Sequence, residues 1–282
     1  MNKTKLFKAG RIWQMLLYAF FTVFLLLILF PFLWMILGAF KNVRELFAVP
    51  LKFWPSSWSL KNYAEAFSAQ PFWKYLLNSM VISGVSTLVV AVTGSLASYA
   101  LARTPIRGKR LVLIVVLTVS LLPPITLINP IYQMYSKMGL LNTRIGLALI
   151  LAAVEMPTGI WLMTSYFQSV PFELEESAMI DGASILRVFI SIMIPLVAPG
   201  LFTVGIMTFI TAWNNYIFAA VLNQHAAART VPVALTLFET ESYTPWHLIC
   251  AAAVIVSLPL VLIVMLMQKR IVSGVTSGSI KG

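Results

Sequence analysis

Residues 171–195 read PFELEESAMIDGASILRVFISIMIP, and they gather four acids, Glu173, Glu175, Glu176 and Asp181, into one short stretch of a chain that is only 10% charged. Pro171 suits the first position of a helix, where its missing N–H costs nothing. The three glutamates fall in the opening turns, where the positive end of the helix dipole favours negative charge. Gly182 supplies a backbone that turns without a Cβ clash. Ser184 is placed to cap a second helix, which ends or bends at Pro195. The stretch therefore predicts a short amphipathic helix, a tight turn at Gly182 and a second helix.

The rest of the chain is membrane-like. Of 282 residues, 60% are hydrophobic, whereas a soluble domain carries about 25% charged residues. No Asp, Glu, Lys or Arg occurs in 12–40, 75–102, 111–136, 188–228 or 242–268, and an apolar segment at 145–166 is interrupted only by Glu155. Each run supplies the roughly 20 apolar residues that a bilayer requires. The expected architecture is all-α with six transmembrane helices: 13–37, bent or ended near Pro31; 75–101; 111–128, with Pro123 and Pro124 inside; 145–166; 195–221; and 248–267. Trp54, Trp58 and Tyr63 suit an interfacial loop between the first two spans.

The net charge of +11 does not point to nucleic acid, because the basic residues flank the spans instead of forming one soluble face. Lys3, Lys5, Lys8 and Arg11 resemble the start of a signal peptide. The apolar run after them is too long for a signal core and is read as a retained first span. With the N-terminus inside, 12 Lys and Arg lie on inner segments and 8 on outer ones. Both termini, the RTPIRGKR patch at 103–110 and the acidic stretch are then expected on the cytoplasmic side.

Catalytic signals are missing from the sequence. The only Gly-Lys pair, Gly108-Lys109, is followed by Arg110, so no phosphate-cradling loop is present. His225 and His247, with Glu239 and Glu241 between them, read as solvated loop residues and not as a metal site. Cys250 has no cysteine partner in the chain. Two sets of polar residues inside spans remain: Glu155, and the cluster Trp213, Asn214, Asn215 and Tyr216. An intramembrane carboxylate is a candidate for a transport path. Amides beside aromatic rings suit a sugar, whose hydroxyls take hydrogen bonds and whose ring takes a flat face. The same residues could equally make interhelical bonds.

The 171–195 stretch resembles the cytoplasmic signature of ABC importer permeases, written E-A-A, three residues, G, nine residues, I-x-L-P. Here it is Glu176-Ser177-Ala178, three residues, Gly182, nine residues and Ile192-Met193-Ile194-Pro195. Ser177 stands where alanine is usual and Ile194 where leucine is usual. The wider chain is similar to the maltose-type carbohydrate uptake branch, through LKNYAEAF at 60–67, the segment at 76–103, YQMYSKMGLLNTRIGLAL at 132–149, VPFELEESAMIDGAS at 170–184, TFITAWNNYIFAAVL at 208–222 and QKRIVSGVTSGSIKG at 268–282.

That resemblance implies a type I ABC importer transmembrane fold. It divides the chain into a cytoplasmic N-terminus and first span at 1–40, an extracytoplasmic loop at 41–72, a five-span core at 73–268 with a coupling loop at about 167–194, and a cytoplasmic tail at 269–282. It implies a second homologous permease, an ABC ATPase dimer and an extracytoplasmic solute-binding protein as partners, in the cytoplasmic membrane of a prokaryote. ATP and Mg would be held by the partner ATPases, with no cofactor on this chain. Glu173, Leu174, Glu176, Ala178, Asp181, Gly182, Ala183 and Pro195 would couple to the ATPase, with Glu175 also offering charge, Leu174 and Ala178 sharing an apolar face, and Gly182 admitting a partner backbone. The tail at 271–282 would reach toward the ATPase dimer interface. The implied cargo is a maltose- or trehalose-like sugar or other oligosaccharide. The alternatives are another polar solute (glycerol phosphate, an acidic oligosaccharide or a polyamine) or a secondary transporter working alone, which would leave the motif spacing unexplained.

Overall fold

The computed structural model describes the backbone of residues 3–240 and 243–279, with side chains over 13–240 and 243–267. The described residues form helices and connecting loops, without strands. Four helices are long and apolar enough to cross a membrane: Trp13–Phe40, Phe72–Arg103, Arg144–Ser169 and Trp246–Met267. Counting each of two bent helix pairs as a span raises the number to six.

The chain divides into two compact units. The first comprises residues 1–70 and 238–255. Helix α1 (Lys3–Phe40) runs through Pro31 as one helix, so the helix does not end at that proline and extends three residues past the expected 13–37. Most of its apolar side chains between Trp13 and Leu33 face outward, where lipid is the natural solvent. A short helix α2 (Val43–Leu46) is capped by Asn42, whose side chain accepts from the Glu45 N–H. Helix α3 (Lys61–Ala69) follows. Phe40 meets Trp58 and Tyr63 edge-on at 5.1 and 5.5 Å, and Asn62 donates to the carbonyls of Ala39 and Lys41. The aromatic loop is thus folded onto the end of α1. Trp54 stays largely exposed.

The second unit comprises residues 71–237 and 256–282. Helix α4 (Phe72–Arg103) carries one π-helical turn at Val90–Gly94. Helix α5 (Lys109–Ser120) and helix α6 (Pro124–Met138) meet at 91°. The span expected over 111–128, with Pro123 and Pro124 inside it, is therefore a corner, because these prolines cannot continue the hydrogen-bond ladder of α5. Helix α7 (Arg144–Ser169) begins at a Thr143 cap and accommodates Pro157 internally. After the acidic helix α8 (Glu173–Ile180) comes α9 (Ile185–Leu196), with a second π turn at Phe189–Met193. It bends by 77° into α10 (Ala198–Asn214). The chain then restarts as α11 (Ile217–Leu222) and α12 (Val231–Thr236). The span expected over 195–221 is thus interrupted twice, at Val197 and at Asn215–Tyr216. Helix α13 (Trp246–Ser279) closes the described chain.

Helix α7 is the axis of this unit, packed along α4, α5 and α10. Small residues let the backbones approach, as membrane helix interfaces require. Ser86 donates to the carbonyls of Ile82 and Ala148, and Ser98 to those of Gly94 and Ile160, so each hydroxyl bonds its own helix and α7 together. A Cβ on Gly159 would lie 2.8 Å from Val90 Cγ1. Two apolar clusters result: one around Leu147, Leu151, Ala212 and Phe218, the other around Val90, Tyr99, Phe167, Phe189 and Met193. The acidic stretch is attached to the second.

Candidate functional site

Pro171 lies outside the acidic helix. The expected start at Pro171 shifts to Glu173, with Phe172 at the cap position, and the N–H groups of Glu175 and Glu176 reach the Phe172 carbonyl. All three glutamates occupy the first turn. The helix ends as the sequence predicts, at Gly182, whose φ is +85°. The Gly182 N–H bonds the Met179 carbonyl, and the Ala183 N–H bonds the Ala178 carbonyl. This pair of bonds is the glycine-terminated helix stop, and the residues flanking it commonly touch through apolar groups. Ala178 and Ala183 here both pack on the cluster around Phe167 and Phe189. Ser184 then caps α9 by accepting from the Arg187 N–H.

The helix has two unlike sides. Outward stand Glu173, Leu174, Glu176, Met179, Ile180 and Asp181, with Ile180 85% exposed. Ile185 and Leu186 extend this exposed apolar surface past the turn. Inward stand Glu175 and Ala178. The expected face shared by Leu174 and Ala178 is therefore split: Leu174 is exposed, while Ala178 is turned toward the core. Nothing lies within 4 Å of a Cβ built on Gly182, so its positive φ, and not crowding inside this chain, is what requires glycine. Pro195 is exposed just before the 77° bend into α10, separated from the acidic helix by all of α9 up to that point.

Glu175 corrects the sequence reading most directly. It is 4% exposed and belongs to the interior of the chain, not to an outward charge patch. Arg103 Nε lies 2.6 Å from Glu175 Oε1, and the Tyr99 hydroxyl donates to Oε2 at 2.9 Å. The Arg103 guanidinium also donates to the Val170 carbonyl at 2.6 Å and sits 4.3 Å from the Phe172 ring centre. Tyr99 packs on Phe167 and Phe189, at 5.6 and 5.0 Å. Sequence reasoning missed Tyr99 and Arg103. Arg103 opens the 103–110 basic patch, where the sequence reads as a topological charge cluster; its one distinguishing mark is that it directly follows a long uncharged run.

The transport-path candidates separate in the same way. Trp213 is 2% exposed and stacked on Phe209 at 5.8 Å. Asn215 Oδ1 accepts from the Phe218 N–H and so caps α11. Asn214 and Tyr216 are exposed at the interruption between α10 and α11, with Asn214 donating back to the Ile210 carbonyl. Glu155 is half-buried on α7, with no hydrogen bond or ion pair to another described residue. Two apolar cavities in this unit, of about 320 and 220 Å3, are lined by residues such as Thr87, Gly205 and Phe209 or Leu122, Ile150 and Val154, and not by these candidates. Among the described residues no group of three or more His, Cys, Asp or Glu could hold a metal ion. His225 is held in its loop by its backbone N–H, which donates to Asn142 Oδ1. Glu241 and the side chains of the tail at 271–282 lie outside the described residues, although the tail backbone is helical through Ser279.

Residues 91–277 match the family described as binding-protein-dependent transport system inner membrane component. The sulfoquinovosyl glycerol transport system permease protein SmoH of Agrobacterium fabrum is 36% identical over 254 residues, 90% of this chain and 89% of that protein. The trehalose/maltose transport system permease protein MalG of Thermococcus litoralis is 39% identical over 257 residues, 90% of this chain and 92% of that protein. A chain from the crystal structure of a bacterial ABC transporter involved in the import of the acidic polysaccharide alginate superimposes with a TM-score of 0.77. The match covers 93% of this chain and 97% of that one at 23% identity, and so shows the shared fold. With its glycine-terminated acidic helix, its apolar spans and relatives matched over nine-tenths of its length, the chain belongs to the binding-protein-dependent transport system inner membrane component family, the permeases of ABC importers.

Proposed function

We propose that this chain is one permease of a binding-protein-dependent carbohydrate importer and takes its energy from partner ATPases through residues 171–195. The observation that carries this reading is the outward side of the acidic helix. Glu173, Glu176 and Asp181 offer carboxylates for charge-assisted bonds to a basic partner. Leu174, Met179, Ile180, Ile185 and Leu186 offer exposed apolar area between and beyond them, of the kind that marks a protein contact. Ala178, Gly182 and Ala183 act by shape, holding this surface to the core and ending the helix.

In this reading both termini and the acidic helix are cytoplasmic, a second homologous permease completes the path, and a soluble binding protein delivers the cargo from outside. ATP and Mg belong to the ATPase dimer, and this chain hydrolyses nothing. The spans rock largely as rigid bodies when the ATPases close. Asn214 and Tyr216, exposed at a helix interruption, and Glu155 form part of the path wall.

The deciding experiment is purification of the tagged chain from its native host, followed by reconstitution in liposomes. An ATPase subunit should co-purify, and a binding protein loaded with maltose or trehalose should stimulate hydrolysis and uptake. Uptake driven by an ion gradient, with no ATPase bound, would overturn the reading. An anionic saccharide is the second reading for the cargo, favoured by the 36% identity to a permease named for sulfoquinovosyl glycerol; a competition series of neutral and acidic sugars in the same liposomes separates the two.

A further inference from the structure

The acidic helix α8 has one buried residue, and that residue is a carboxylate. A short helix meant only to rest on the core would bury an apolar side chain there. Glu175 instead spans to Arg103 and Tyr99, one turn apart on α4, with side chains of Arg103 and Glu175 only 3% and 6% exposed. Arg103 meanwhile holds the end of α7 through the Val170 carbonyl and covers the Phe172 ring. The Tyr99 ring lies against Phe189, in the π turn of α9. Four elements, α4, α7, α8 and α9, thus meet at one ion pair and one phenol.

We propose that Tyr99, Arg103 and Glu175 are positioning residues that form the internal link by which displacement of α8 is passed to α4. The inference rests on the coupling role given to residues 171–195 above, and concerns what happens inside this chain once that surface is moved. A buried carboxylate held by one hydrogen bond and one ion pair resists sliding in a way that apolar contact does not, because a shift of one partner leaves a charge buried and unpaired. The π turn at Val90–Gly94 ends five residues before Tyr99, and such turns recur at functional sites in helices. A pull on Arg103 therefore acts on the segment Ser95–Arg103, with the π turn as the place where α4 yields.

The test uses the assembled, reconstituted transporter and reads the ATP hydrolysed per sugar imported. Glu175→Gln and Arg103→Lys should keep the ATPase subunits bound, because Glu173, Glu176 and Gly182 are untouched, while the ATP-to-sugar ratio rises at least tenfold. The double exchange Arg103→Glu with Glu175→Arg should bring that ratio back toward the wild type. Tyr99→Phe keeps the ring packing, leaves no charge unpaired and should raise the ratio by a smaller factor, which keeps the proposal testable if the charge variants do not assemble. An unchanged ratio in assembled Glu175→Gln and Tyr99→Phe transporters would overturn the link. So would loss of the ATPase from the purified variants, since the pair would then merely shape the docking surface. If the wild-type chain itself retains no ATPase, the coupling reading fails instead.

Discussion

Glu175 and Glu176 are neighbours in the chain and opposite in environment. A helix advances about 100° per residue, the consequence of 3.6 residues per turn, so only one of two adjacent side chains can face the core. Glu175 does so and finds Arg103, while Glu176 remains outside. Gly182 shows the same dependence on local geometry. At φ +85° an L side chain is disfavoured by about 1–2 kcal/mol. Gly182→Asp adds to this a carboxylate beside Asp181. Hypothesis: it leaves the spans folded, as measured by thermal melting in detergent, but abolishes sugar-stimulated ATPase; wild-type transport by an assembled variant would sink the coupling claim. Asn214 and Asn215 divide in a third way. Asn215→Ala removes the α11 cap and should lower stability by about 1 kcal/mol, with sugar stimulation retained. Asn214→Ala should leave melting unchanged and weaken sugar stimulation several-fold; an unaltered response would remove Asn214 from the path wall.

Among the elements, α7 sets the arrangement. Its contact with α4 depends on residues with little or no side chain, and the Ser86 and Ser98 hydroxyls bond across it. Gly159→Ala would place a methyl 2.8 Å from Val90 Cγ1. Overpacking of this kind costs about 1–3 kcal/mol, so the variant should melt several degrees lower; an unchanged melting temperature would mean that the α4–α7 contact relaxes freely. Ser86→Ala should be milder, since interhelical bonds in membranes average about 0.6 kcal/mol. The elements also show where hydropathy reading stops. The run 111–136 is uncharged throughout, yet it turns through 91° at Pro123-Pro124. The run 188–228 holds a π turn, a 77° bend and an interruption. Hydropathy reports solvent preference and is blind to axis direction.

At the scale of the whole molecule, the chain is a multi-pass membrane protein of a family that works in assemblies. Many apolar side chains of α1, α5 and α13 face outward, toward lipid or partner helices that complete the transporter. The purified chain alone is expected to hydrolyse no ATP, and hydrolysis should appear only with an ATPase subunit present. Measurable turnover by the isolated chain, free of co-purifying protein, would contradict the division of labour proposed here.

The sequence by itself determined the membrane class, since long uncharged runs leave no other solvent for those helices, and it determined the stop at Gly182, since a left-handed helix cap is written in local residues. The motif spacing from Glu176 to Pro195 likewise placed the chain in its family, because that spacing is a property of the linear chain. Only the tertiary structure decided which glutamate is buried, where the apolar runs bend, and that Arg103 is a core residue and not a topological flag. The physical reason is that a charge is buried only where its partner arrives from elsewhere in the chain. Glu175 depends on Arg103 and Tyr99 at the end of another helix, and nothing in the residues adjacent to either one records that meeting.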